Sequence, residues 1–190
     1  LCVTSEAVPY IKTGGLADVA GALPKYFDKK KYDVRVILPK YLCIPEEWKE
    51  KMKFESHFYL DLGWRKQYVG VFSTQYEGII YYLLDNEFYF AGEGPYNNIY
   101  EDVEKFAFFS KAVLEAMPVV DFRPDIVHCH DWQTGLVSVY LNSLYKEKEY
   151  YRNMRTVYTI HNMKFQGRWK LKAVRDMTGL PESLFTPKAL

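Results

Sequence analysis

Lys12-Thr13-Gly14-Gly15-Leu16-Ala17-Asp18-Val19 joins two segments of different periodicity, and its reading decides the fold. Before it, Leu1-Cys2-Val3-Thr4 reads as an apolar strand entered at its middle. After it, Leu16, Val19, Ala20, Leu23 and Phe27 recur at helical spacing. Two glycines where a strand hands over to a helix let the backbone come close to a ligand. The first N–H groups of the helix carry partial positive charge and have no intrahelical acceptor. The corner therefore reads as an anion cradle, with Lys12 adding a full charge beside it. The competing reading is a tight turn with Lys12 in solvent, since glycine pairs also mark turns. The spacing matches neither G-x-G-x-x-G nor the P-loop, so the corner alone leaves both readings open.

Outward from this corner, Asp33 to Pro39 is a second buried strand, which completes a βαβ unit. His57–Leu62, Gln67–Phe72 and Ile79–Leu84 are β-rich runs separated by glycine-containing turns, expected to form antiparallel hairpins or excursions from the main sheet. Phe90 to Tyr100 is a loop, and Val103 to Met117 a helix whose phenylalanines point to core packing. Asp125 to Asp131 is a strand with its polar residues gathered at the carboxyl end, followed by a helix over Thr134 to Tyr145. Thr156 to Asn162 repeats that design. In open α/β sheets ligands bind outside the carboxyl ends of the strands. Three strands then send polar groups to one edge: Glu6 and Lys12, His130 and Asp131, His161 and Asn162.

His128 and His130, two apart on a strand, share a face, and Asp131 falls on the other face or the following turn. A metal-dependent hydrolase could use these three, but Trp132 and Gln133 follow where further ligands would be needed. His128 reads instead as a core histidine hydrogen-bonded to backbone. Asp131 and His161 are harder to place in a core, because buried polar groups at strand tips need partners and ligand hydroxyls can supply them.

Composition narrows the partners. With 25 basic and 24 acidic residues in 190, the chain gives no electrostatic reason for nucleic acid or a membrane surface. A hydrophobic share of 48% supports a sizeable core, and the 17% aromatic share suits cores and sugar faces alike. Cys2, Cys43 and Cys129 form no C-x-x-C pair and no disulfide framework, which fits a reducing cytoplasm. There is no signal peptide, no apolar run long enough to cross a bilayer and no N-x-[ST] acceptor. The absent initiator Met and the strand entered at its middle point to a truncated chain.

Three ordered motifs then resemble one family. They are Ser5-Glu6-Ala7-Val8-Pro9 running into Lys12–Val19, His128-Cys129-His130-Asp131-Trp132-Gln133-Thr134-Gly135-Leu136, and Thr159-Ile160-His161-Asn162 with Phe165-Gln166-Gly167. Phe106-Ala107-Phe108-Phe109-Ser110-Lys111-Ala112 adds a fourth match. The set resembles the N-terminal domain of bacterial glycogen synthase and plant starch synthase, glycosyltransferase family 5. The resemblance implies an α/β GT-B fold of two Rossmann-like domains, residues 1–190 supplying most of the first, with a mostly parallel sheet. It implies retaining transfer of glucose from ADP-glucose to the non-reducing end of an α-1,4-glucan, with no metal or other cofactor. Lys12, Gly14 and Gly15 would bind the donor's phosphates. Asp131 and His161 would be the catalytic pair, His161 on the donor glucose and Asp131 in the sugar or acceptor subsite. Glu6, Asp18, Tyr96 and Asn162 would complete the cleft. The loop around Tyr96 lacks the Arg and Tyr-Gly pair of the commoner family pattern. The C-terminal domain that grips the diphosphate would be this chain's partner, and without it the chain would not catalyse. A non-catalytic nucleotide-sugar or glucan-binding module is the alternative.

Overall fold

The computed structural model describes residues 1–186, the side chains of residues 99 and 100 apart. Its centre is the short strand β1 (Cys2–Val3), followed by helix α1 (Gly15–Ala22) and strand β2 (Arg35–Pro39). β1 and β2 are parallel, with Cys2 opposite Val36 and Val3 opposite Ile37, so the expected βαβ unit is formed. After the short helix α2 (Glu46–Lys49) come β3 (Lys53–Leu62), β4 (Arg65–Tyr76) and β5 (Ile79–Asp85). These three are antiparallel to one another. The β4–β5 connection is two residues, Glu77 and Gly78, both with positive φ (49° and 76°), as a hairpin turn matched to strand twist requires.

The antiparallel hairpins expected over this stretch form, as an extension of the main sheet. β5 pairs parallel with β2 over five residues, and the meander becomes the outer half of one seven-stranded sheet. The short helix α3 (Glu87–Phe90) and the long helix α4 (Ile99–Val119) then lead to β6 (Ile126–His130), α5 (Gly135–Tyr140), β7 (Arg155–Thr159) and α6 (Leu171–Thr178). The helix expected over residues 134–145 starts with a tight turn at Trp132–Thr134 and widens into a π-helical turn at Leu141–Tyr145.

The strand order is β3-β4-β5-β2-β1-β6-β7. From β1 the chain goes to β2 on one side, and later crosses by α4 to β6 on the other. The direction of winding therefore reverses at β1, and the crevice that such a reversal opens at the carboxyl ends is where α/β sheets take their ligands. Core residues hold this geometry from both sides. Val3, Val36, Leu38, Leu83 and Val127 are fully buried in the sheet, and Phe106, Phe108, Phe109 and Val113 of α4 are buried against it. Each such side chain contributes on the order of 1.5–3 kcal/mol relative to exposure. α4 also reaches the site: Ser110 Oγ, fully buried, donates to the carbonyl of Gln133 in the turn after β6. No described helix is long and apolar enough to cross a membrane.

Candidate functional site

At the carboxyl ends of β1, β6 and β7 lies a cleft of about 1030 Å³. Glu6, three residues beyond β1, is 3% exposed and supports one wall. Its Oε2 accepts from both the backbone N–H and the hydroxyl of Thr13. On its other oxygen it accepts from the Tyr96 hydroxyl at 3.4 Å, and that hydroxyl lies 2.9 Å from Ser5 Oγ. Burial, and then the neighbouring Glu6 charge, push the Tyr96 pKa well up, so the phenol keeps its proton. Glu6 and Tyr96 thus hold the loop that delivers the glycine corner.

That corner opens α1. Gly14 is the N-cap residue, in extended conformation (φ −153°, ψ −166°), and no side chain caps the helix. Thr13, a residue type that caps helices well, gives its hydroxyl to Glu6 instead. The first N–H groups of α1 are therefore free of the usual side-chain acceptor. Neither glycine is demanded by a positive φ. A Cβ on Gly15 would meet nothing within 4 Å, and one on Gly14 only Glu6 Oε1 at 4.0 Å. The space that the missing side chains leave belongs to the cleft, which both glycines line. Gly21 differs: a Cβ there would stand 2.4 Å from Val8 Cγ2, so this glycine serves the close contact between α1 and the loop after β1.

Lys12 and Asp18 sit on the outer side of the corner. Lys12 Nζ donates to Asp18 Oδ1 at 2.7 Å, and both side chains are more than half exposed. Neither lines the cleft. Val19, one of the apolar residues at helical spacing, is 39% exposed and lines the cleft.

The tips of β6 and β7 form the opposite wall. Asp131 directly follows β6 with φ 58° and ψ 178°, a region that L side chains rarely occupy. The strain persists because Asp131 is tied on every side. Its N–H donates to the Thr159 carbonyl, its own carbonyl accepts from Thr134 Oγ1, and its Oδ1 accepts the backbone N–H of His161 at 2.7 Å. His161 is exposed to the cleft, and its Nε2 lies 2.9 Å from Nδ1 of the buried His130. Desolvation, with the neighbouring His128 and His161, lowers the pKa of His130 to about 3 and keeps it neutral. His128 bonds to the side chain of Thr159, not to backbone as expected, at 2.7 Å. Asn162 lines the cleft while its Oδ1 accepts the N–H of Lys164 and closes a turn.

Cys2, His128 and His130 bring one possible metal ligand atom each within 4.8 Å of one another, and Asp131 is not among them. An imidazole nitrogen binds metal in its ring plane at about 2.0–2.1 Å. The His128 and His130 rings are 4.1 Å apart between centroids with planes only 34° apart. Both rings already engage a nitrogen inside the protein, His128 with Thr159 and His130 with His161. The hydrolase reading needed Asp131 as its third ligand, and that carboxylate is instead bonded to the His161 backbone N–H.

Of the candidates drawn from sequence, Glu6, Gly14, Gly15, Tyr96, Asp131, His161 and Asn162 line this cleft together. Sequence reading missed Trp132, Trp169, Lys164 and Arg168, which line it too. Trp132 and Trp169 pack at 4.9 Å between ring centroids. Two cations just around Phe165-Gln166-Gly167 were the available signal for Lys164 and Arg168.

The chain matches the family model described as the starch synthase catalytic domain over residues 1–190. It is 62% identical to the glycogen synthases of Lachnospira eligens and Lachnoclostridium phytofermentans, over the whole of this chain and 40% of each relative. The chain thus spans about two fifths of the length of these relatives. Among solved structures it resembles the catalytic domain of starch synthase IV from Arabidopsis thaliana, bound to ADP and acarbose. That match has a TM-score of 0.82 and 28% identity, over 98% of this chain and 38% of the other. With the motifs, the fold and the matched model in agreement along its length, this chain belongs to the starch synthase catalytic domain family.

Proposed function

We propose that the protein to which this chain belongs transfers glucose from ADP-glucose to the non-reducing end of an α-1,4-glucan with retention, in glycogen synthesis in the cytoplasm. The observation that carries the reading is the uncapped start of α1 at Gly14 and Gly15, open to a cleft whose far wall is Asp131 and His161. Free N–H groups and a helix dipole suit a diphosphate. Polar strand tips and the Trp132 and Trp169 faces suit a hexose. That the Arabidopsis relative is bound to ADP and acarbose supports this pairing of a nucleotide with a sugar ligand.

In this reading residues 1–190 are the N-terminal Rossmann-like domain, and a C-terminal domain of the same enzyme faces the cleft and grips the diphosphate. The main-chain N–H groups of the corner hold developing charge on the leaving ADP, where positioned donors act most strongly. Lys12 swings from Asp18 toward the phosphates, and His161 meets the sugar. Asp131 sets the position of His161 through the backbone bond and lines the sugar subsite.

The test is turnover by the full-length protein. ADP-glucose with a maltooligosaccharide should yield ADP and a glucan longer by one residue. Calorimetry that shows ADP-glucose and glucan binding without turnover would make the protein a non-catalytic binding module, and no binding of either would end the proposal.

A further inference from the structure

We infer that His130 is a positioning residue that fixes the tautomer of His161, so that His161 Nδ1 offers an N–H donor to the cleft. What that donor meets rests on the glucosyl-transfer reading above. The tautomer itself rests on geometry.

His130 Nδ1 and His161 Nε2 are 2.9 Å apart, a hydrogen bond that needs one proton between them. Burial keeps His130 neutral, so it carries a single N–H. Two arrangements follow. If His161 Nε2 donates, the proton of His130 must sit on its Nε2. That atom is buried and has no partner among the described residues, so a donor would be stranded. If His130 Nδ1 donates, its Nε2 is left with only a lone pair there. Stranded buried N–H groups are the rarer of the two in proteins, and each costs its desolvation free energy. The second arrangement is therefore the one adopted, and it leaves His161 with its proton on Nδ1.

The neighbours give His130 no freedom to do otherwise. It is 1% exposed, with the His128 ring tilted against it at 4.1 Å between centroids and the His161 ring stacked 5.2 Å away at an interplanar angle of 20°. His161 is anchored from its own backbone by Asp131. A ring held at Nε2 has Nδ1 left for a ligand. An N–H at that nitrogen attracts a ring or glycosidic oxygen of the sugar, which can only accept, whereas a lone pair would repel it.

The experiment is long-range proton–nitrogen correlation on full-length, ligand-free protein labelled at histidine, at neutral pH, with the His161 signal assigned by its loss in His161→Gln. The expected pattern is a protonated Nδ1 and a bare Nε2. His130→Leu should release the ring toward the Nε2-protonated form and lower kcat about tenfold, with the glucan KM within about twofold. His130→Asn, whose amide can donate from the place of Nδ1, should restore the Nδ1-protonated form and most of the rate. Should His130→Leu fail to fold, the wild-type spectrum and His130→Asn still decide. Nε2 protonated in the wild type, or a tautomer indifferent to both substitutions, overturns the inference. The inferred tautomer in a protein without glucosyl transfer would leave the positioning role standing and remove the reaction.

Discussion

The backbone N–H of His161 donates to Asp131 Oδ1 at 2.7 Å, so one carboxylate locks the tip of β7 to the tip of β6. The carboxylate reaches that N–H from a backbone at φ 58° and ψ 178°, a conformation that costs about 1–3 kcal/mol for any residue with a Cβ. Asp131→Gly and Asp131→Ala both lose the acceptor, but only alanine keeps the strain. The glycine variant should therefore be more stable by about 1 kcal/mol in urea denaturation. Both should lose glucosyl transfer by about a hundredfold or more, since the His161 backbone is no longer held. Equal stability of the two would show that the backbone at this position is relaxed.

The same pair shows where sequence reading succeeds and where it stops. Val127 and Cys129 are fully buried, and an apolar strand that ends in His130 and Asp131 can place those groups only at its carboxyl tip. The gathering of Glu6, Asp131 and His161 at one edge was legible for that reason. The contact between His130 and His161 was not, because it depends on β6 and β7 being neighbours in register, with His130 opposite Thr159. Helical periodicity groups Val19 with Leu16 and Ala20 on one side of α1 but does not report what covers that side, and Leu16 and Val19 line the cleft. The antiparallel hairpins of β3, β4 and β5 were legible from β-rich runs divided by glycine-containing turns. The parallel pairing of β5 with β2 is a tertiary fact with no local signature.

The glycines of α1 separate ligand space from packing space. Gly15→Ala meets no atom of the chain within 4 Å, and its melting temperature should stay close to that of the wild type. Its affinity for ADP-glucose should fall about tenfold or more, because the methyl occupies the room a phosphate would use. Gly21→Ala drives a Cβ to 2.4 Å from Val8 Cγ2 and 2.7 Å from the Val8 carbonyl, and should destabilise by about 1–3 kcal/mol. Calorimetry with ADP-glucose and thermal melts on the two variants check the contrast. A Gly15→Ala protein that binds like the wild type would move the phosphate site elsewhere.

Lys12 poses a sharper question, since its partner in the structure is Asp18 and not the cleft. An exposed pair of this kind contributes about 0–1 kcal/mol, so Lys12→Ala should barely shift stability. If Lys12 turns to the diphosphate on binding, the same variant should weaken ADP-glucose binding about tenfold, and Asp18→Asn should not weaken it at all. Equal losses in the two variants would mean that the pair acts only by shaping the loop.

Gly167 has φ 58°, and a Cβ there would stand 2.7 Å from the Trp132 ring. Gly167→Ala must push Trp132 from its place between Phe106 and Trp169. The expected result is a tryptophan fluorescence shift with a rise in glucan KM of about fivefold or more, because a stacking face against the sugar is displaced. Unchanged fluorescence together with unchanged KM would take Trp132 out of the glucan subsite.

Acid should find the histidine cluster first. Burial, then the neighbouring His128 and His161, lower the pKa of His130 from 6.5 to about 3. The unfolded chain takes up a proton at this residue as the pH falls through 6.5, while the folded chain does not until about 3. Between those values the unfolded state binds more protons, so stability rises with pH and is lost as the pH is lowered across that window. One such group gives a slope of at most about 1.4 kcal/mol per pH unit. His128, whose pKa burial also lowers, adds to the slope in the same direction. Urea denaturation from pH 7 to pH 4 should show this fall in the wild type and a smaller one in His130→Asn, which has nothing to titrate there. Parallel curves for the two proteins would mean that His130 takes up its proton in the folded state as readily as in the unfolded chain.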